Sequence, residues 1–98
     1  MAYQLVLMEK AVIEINESYH WYEAQSTSIG ILFLKALDKS FDVIKQYPRQ
    51  CELRYKKFRE FYLGRFPFII VFYVDEPHLQ VVVISIFHCS RNPRQKYR

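Results

Sequence analysis

Cysteine is scarce in this chain of 98 residues and poorly placed for metal: Cys51 and Cys89 make no C-x-x-C pair, the spacing that a zinc site or dithiol centre uses. Both are read as free thiols of a reducing cytoplasm, and no metal or cofactor is expected. Nothing at the start of the chain reads as a signal peptide. Long apolar runs are missing too. The longest unbroken one is Phe68 to Val74, and Val81 to Phe87 is interrupted by Ser85. Both fall far short of the roughly 20 residues needed for a membrane-spanning helix, so a soluble protein with no membrane contact is expected. Repeats and low-complexity stretches are absent, and no arginine occurs before Arg49.

That last absence divides the chain electrically. From Met1 to Tyr47 four lysines face six acids, a balance of −2; from Pro48 to Arg98 ten basic residues face four acids, a balance of +6. A basic half implies an acidic partner, nucleic acid or protein; the plainer alternative is that these side chains only keep a sheet soluble. Hydrophobic residues make up 51% of the chain, with eight Tyr, eight Phe and one Trp. That is enough for one domain over residues 1–98 with its own core, and it excludes disorder.

Strand-forming residues run from Tyr3 to Leu7, and then the period changes. Met8, Ala11, Val12, Ile15, Tyr19 and Tyr22 recur at steps of three and four, one face of a helix, with Glu9 in the first turn, where a negative charge suits the dipole. Gln25 to Ser28 is a polar break, with Ser28 a candidate cap. Ile29, Leu32, Phe33, Ala36, Leu37, Ser40, Ile44 and Tyr47 resume the period until Pro48 ends it, which predicts an antiparallel helical hairpin. Gly30 lies in the first turn of the second helix, where glycine costs about 1 kcal/mol relative to alanine; close approach of the two helices would account for it. Three further strands are predicted: one broad, within Leu53 to Leu63, then Phe68 to Val74 and Leu79 to Phe87, the last two joined by the turn Asp75–His78. Those two are apolar at nearly every position and so belong inside the sheet, covered on both faces. Residues 92–98 are a basic tail, expected to be ordered by a partner.

From Arg59 onward the order of segments is informative: R-F-P-F at Arg65 to Phe68, I-V-F-Y-V at Ile70 to Val74, and V-V-I-S-I-F-H-C-S-R-N-P at Val82 to Pro93. With E-K-A at Glu9, H-W-Y-E at His20, I-G-I-L-F-L at Ile29 and Q-Y-P at Gln46, this order resembles the RelE/ParE toxin family in its plasmid-stabilisation branch. The resemblance implies an α+β fold: an N-terminal strand, a two-helix hairpin and a curled, mainly antiparallel four-stranded sheet. It also implies the toxin of a type II toxin–antitoxin pair, one that arrests growth unless bound by a cognate antitoxin, and whose target is either mRNA on the ribosome or DNA gyrase.

Metal-independent RNA cleavage needs a group to activate a 2′-hydroxyl, charge on the phosphate and a proton for the leaving oxygen. The candidates are Arg59 and Arg65 as phosphate clamps, His88 as proton donor or acceptor, and Arg91 as a second clamp, arginine because its planar fork donates two hydrogen bonds at once. Against cleavage, Phe68 to Val71 carries no charge where nuclease members carry basic residues, and Cys89 stands where some carry another. The H-x-x-R end, His88 to Arg91, is closer to the gyrase-binding branch, for which a binding surface suffices. Three readings stay open: a ribonuclease, a toxin that binds a protein, and a family member without toxicity. Several residues also have plain structural readings. Arg59 can pair with Glu60 or Glu52, His88 can be a hydrogen-bonded strand-end histidine, Lys56 and Lys57 can be a solvated strand face, and Trp21 and Tyr22 are read as packing residues. A Cys89–His88 nucleophile is rejected, because neighbours on a strand face opposite sides.

Overall fold

A computed structural model describes residues 2–98. Its elements are β1 (Gln4–Leu7), α1 (Glu9–Gln25), α2 (Thr27–Gln46), β2 (Glu52–Tyr55), β3 (Phe58–Tyr62), β4 (Phe68–Asp75) and β5 (Gln80–His88), with short 3-10 turns at Pro48–Gln50, Glu76–His78 and Pro93–Gln95. The strands form one sheet in the order β1-β5-β4-β3-β2. β1 runs parallel to β5 and every other pairing is antiparallel. The apolar pair β4 and β5 therefore lies inside the sheet, as its composition predicts.

The sheet has five strands where the sequence pattern predicts four. The broad run after Pro48 is a hairpin, β2 and β3, closed across Tyr55 and Phe58 by Lys56 and Lys57. Lys56 takes a left-handed φ of 50°. Tight hairpin turns need positive φ, which Asn, Asp or Gly adopts cheaply, and a Lys-Lys turn carries none of that signature. The two lysines are thus a turn and not a strand face.

The helices meet with a single connecting residue, Ser26, so the break is shorter than the polar composition suggests. Capping falls on the Ser26 carbonyl, which accepts from the Ile29 and Gly30 amides at 3.1 Å each, and no serine side chain caps α2. Gly30 sits where the helices touch: a Cβ there would lie 3.1 Å from Tyr19 Cε1 and 3.3 Å from both Cα and Cβ of Glu23. Along α2 the buried residues are Gly30, Phe33, Leu37, Ser40 and Ile44, a stripe at helical spacing of which Phe33, Leu37 and Ile44 pack with the sheet.

Each face of the sheet has its own apolar layer. Toward the helices, Phe68, Ile70, Phe72, Val81, Val83 and Ile86 pack with Phe33, Leu37, Ile44 and Ala11. Tyr22, Phe33, Phe66 and Phe68 join there, with centroid distances of 5.1 to 5.4 Å among the closer pairs. On the other face Val71, Val82, Ile84 and Phe87 are covered by Phe58, Ile69, Tyr73 and Tyr97. The C-terminal tail thus packs within the chain itself. Tyr97 stacks on Tyr55 at 4.7 Å and on Phe58 at 5.4 Å, its hydroxyl donates to the Glu60 carboxylate, and Lys96 Nζ lies 3.4 Å from the same group. Burial, then the bond to Glu60, push the Tyr97 hydroxyl up to about 12. Among the described residues no helix is long and apolar enough to cross a membrane.

Candidate functional site

β1 is the shorter partner of β5. Its ladder ends where Leu7 pairs with Val83, the Met8 amide donates to the Val83 carbonyl at 3.0 Å, and the chain then turns into α1. β5 runs on for five residues to His88, so its later residues have α1 and not a strand on that side. Glu14, one turn into the helix and 9% exposed, fills the gap. Its Oε1 accepts from the Ser85 hydroxyl and the Ile86 amide, both at 2.9 Å, and its Oε2 accepts from Arg91 Nη1 at 2.5 Å. One carboxylate thereby joins the helix, the strand and the turn beyond it. Next to this point the β4–β5 register slips by one residue between Val71 and Phe72. Glu14 was not among the candidates drawn from the sequence. The available signal was an acid on the apolar stripe of α1, between Ala11 and Ser18.

Past β5 the chain makes a tight, hydrogen-bonded turn. His88 Nδ1 accepts from the Ser90 amide at 3.0 Å and lies 2.7 Å from the Ser90 hydroxyl. An acceptor at Nδ1 leaves the ring proton of the neutral imidazole on Nε2. The His88 ring stands edge-on to Phe68 at 4.9 Å. The Arg91 amide donates to the His88 carbonyl at 3.0 Å, and the Cys89 amide to the Pro67 carbonyl at 2.8 Å, which ties the turn to the β3–β4 loop.

Between this turn and α1 opens a cleft of about 360 Å³. Tyr22, Phe68 and Ile86 give it apolar lining, and His88, Ser90, Arg91, Glu14, Glu17 and Ser18 supply polar groups. Trp21 also lines it. The indole is 62% exposed and rests edge-on against Tyr22 at 5.1 Å, so the packing role predicted for both residues holds for Tyr22 and not for Trp21. On α1 the two are adjacent and point about 100° apart, and only Tyr22 follows the buried stripe.

The four residues expected to surround a phosphate do not converge. His88 and Arg91 share the cleft. Arg59, opposite Phe72 on β3, turns toward the 3-10 turn after α2 and donates from Nη1 to the carbonyls of Cys51 at 2.7 Å and Arg49 at 3.4 Å. It forms no ion pair with Glu52 or Glu60; Arg54 does, at 2.8 and 3.9 Å. Arg65 is exposed in the β3–β4 loop, just after Gly64, whose φ is +86°. Neither Arg59 nor Arg65 lines the cleft. Cys51 is half-buried, and burial pushes its thiol above the ordinary value against the opposing charge of Arg59. Among the described residues no three His, Cys, Asp or Glu side chains are grouped as a metal site requires.

Similar folds are found among solved structures. The chromosomal ParDE toxin–antitoxin system from P. aeruginosa aligns with a TM-score of 0.76 at 16% identity, over 89% of this chain and 96% of that one. The isolated E. coli RelE toxin gives 0.65 at 20% identity, over 97% and 93%. In the RelBE2 toxin–antitoxin complex from Mycobacterium tuberculosis the values are 0.64 and 13%, over 90% and 99%. No curated protein sequence matches the chain. At these identities the likeness is one of fold, namely a helical hairpin on a mostly antiparallel sheet. Residues 5–93 match the family described as the ParE toxin of the type II toxin–antitoxin system parDE, and the chain therefore belongs to the ParE toxin family.

Proposed function

We propose that this chain arrests bacterial growth when it is free of its antitoxin, and that it does so by binding a protein target, DNA gyrase, and not by cutting RNA. The observation that carries this reading is the fate of the arginines. Arg59 is spent on two backbone carbonyls, Arg91 gives one of its nitrogens to Glu14, and Arg65 is exposed in the β3–β4 loop outside the cleft. A phosphate clamp needs guanidinium forks that converge on one point, and acid–base cleavage needs donor and acceptor within reach of it. The strand that would carry further basic groups, Phe68 to Val74, is apolar throughout. Binding needs none of these and uses the exposed surface alone.

The antitoxin in this reading supplies apolar and acidic segments, which suit the exposed apolar side chains of the helical hairpin and the +6 balance of the second half of the chain. In this reading the protein acts in the cytoplasm, where its target and antitoxin would be met.

RNA cleavage remains the second reading, because His88 and Arg91 do line one cleft. Two assays on the purified chain separate them. Inhibited gyrase supercoiling with ribosome-bound mRNA left intact is the expected result. Cleaved mRNA, with cleavage lost on His88→Ala, would replace it with the enzyme. Unimpeded growth on induction of the chain alone, with soluble folded protein present, would sink both.

A further inference from the structure

The cleft beside His88 has the composition of an anchor pocket. Binding energy at protein interfaces concentrates in Trp, Tyr and Arg around a desolvated pocket, and here Trp21, Tyr22 and Arg91 line one cavity with Phe68 and Ile86. Trp21 stays 62% exposed beside it, with apolar area that the chain leaves uncovered. At about 360 Å³ the cleft lies at the small end of ligand pockets, sized for one large side chain and not for a cofactor.

Its polar groups are arranged unequally. On the strand side are two donors: His88, whose Nε2 carries the ring proton because Nδ1 accepts from Ser90, and Arg91, which gives Nη1 to Glu14 and no other nitrogen to any acceptor among the described residues. Glu14 presents Arg91 but has its own charge met by it. On the helix side is Glu17, exposed and without an ion pair among the described residues. The charge of Arg91 is met by Glu14, and Glu17 adds a further negative charge. What the turn offers a carboxylate is therefore hydrogen-bond donors, His88 Nε2 and the Arg91 nitrogens that Glu14 leaves free, and not net positive charge.

We infer that the cleft seats a bulky apolar side chain of a protein partner, with a carboxylate next to that side chain taken by His88 and Arg91. This deepens the proposed binding function by giving the chemistry of the segment recognised. Arg91 is the specificity element, and Glu14 is a positioning residue that holds it.

The test uses the full chain, isotope-labelled and followed by NMR, with three small probes in place of a partner. N-acetylphenylalanine carries a ring and a carboxylate, its amide lacks the charge, and N-acetylalanine lacks the ring. The first should saturate with a Kd on the order of millimolar, as expected for a ligand of this size, and should shift the Trp21 indole and the amides from Ile86 to Arg91. The other two should bind at least about fivefold more weakly, each lacking one of the two recognised features. Trp21→Ala, at an exposed position that leaves the fold intact, should weaken N-acetylphenylalanine by a similar factor, and Glu17→Gln should tighten it. Arg91→Gln should bring it down to the level of the amide. Equal binding of acid and amide, unsaturable shifts, or shifts centred elsewhere would overturn the proposal. None of these readouts depends on toxicity, so gyrase inhibition can fail while the pocket stands, and the reverse.

Discussion

Replacing Glu14 by alanine removes the acceptor for three donors at once. The Ser85 hydroxyl and the Ile86 amide belong to residues 0% and 1% exposed, so water cannot take the place of the carboxylate without opening the sheet. A buried donor left unsatisfied costs about 1–3 kcal/mol. Arg91 is different: its side chain is 37% exposed and can turn to solvent, so the full cost of a broken buried ion pair, about 3–5 kcal/mol, does not apply. Allowing the serine hydroxyl to find another carbonyl, the loss comes to about 2–4 kcal/mol. For a domain of this length each kcal/mol moves Tm by about 4–8 °C, so Glu14→Ala should melt about 8–32 °C lower and show a correspondingly lower urea midpoint. Glu14→Gln keeps an oxygen for the Ile86 amide and loses the charge on Arg91, and should lie between alanine and the parent. A Glu14→Ala protein within about 0.5 kcal/mol of the parent would refute the assignment of this carboxylate as the joint between α1, β5 and the turn, since that is the range of an ordinary surface change.

Three further outcomes follow from the geometry. Gly30→Ala gains helix propensity but drives a Cβ against Glu23 Cα at 3.3 Å, an atom that moves only if the helices part, so a net loss of about 1–2 kcal/mol is expected in urea unfolding; a stabilised variant would contradict the close packing. The Tyr97 hydroxyl, pushed up to about 12, is held neutral by the fold. Its share of stability is complete below about pH 10, the unfolded value, and is lost as pH rises through about 12. The Tyr19 and Tyr22 hydroxyls are raised too, by the bond to Glu23 and by burial respectively. Tyr97→Phe should therefore remove the last part of the phenolate absorbance change and leave their steps in place; an unchanged end of the titration would reassign it. Arg59→Ala removes two bonds to carbonyls and should cost about 1–2 kcal/mol, whereas exposed Arg65→Ala should stay within about 0.5 kcal/mol; equal effects in thermal melting would deny Arg59 its role as a pin.

The legible parts of the fold are those governed by short-range rules. The helices, the stop at Pro48 and the apolar hairpin strands all follow from periods of 3.6 and 2 and from turn chemistry. Each is found within a few residues of its predicted place, although Met8, Val12, Ile29, Leu32 and Tyr47 of the predicted stripes are exposed. The β2–β3 turn escaped the same rules because Lys56 adopts a positive φ in a two-residue turn closed by the Tyr55–Phe58 pairing, a conformation that its residue type does not announce. His88 and Arg91 were visible as candidates because their turn is local.

What tertiary structure alone decided is which distant groups meet. Arg59 and Arg91 look alike as residues, yet one is turned to backbone carbonyls eight and ten positions away and the other to a carboxylate 77 positions away. Glu14 reads as an ordinary helix acid until β1 proves too short to flank the end of β5. Tyr97 reads as a loose tail until Tyr55 and Phe58 are folded beneath it. By itself the sequence determined both helices, the strands other than β2 and β3, and the charge of each half, because these depend on neighbours along the chain. The partners of a buried charge or ring depend on where the sheet ends and which face is left uncovered, and only the packed chain sets those.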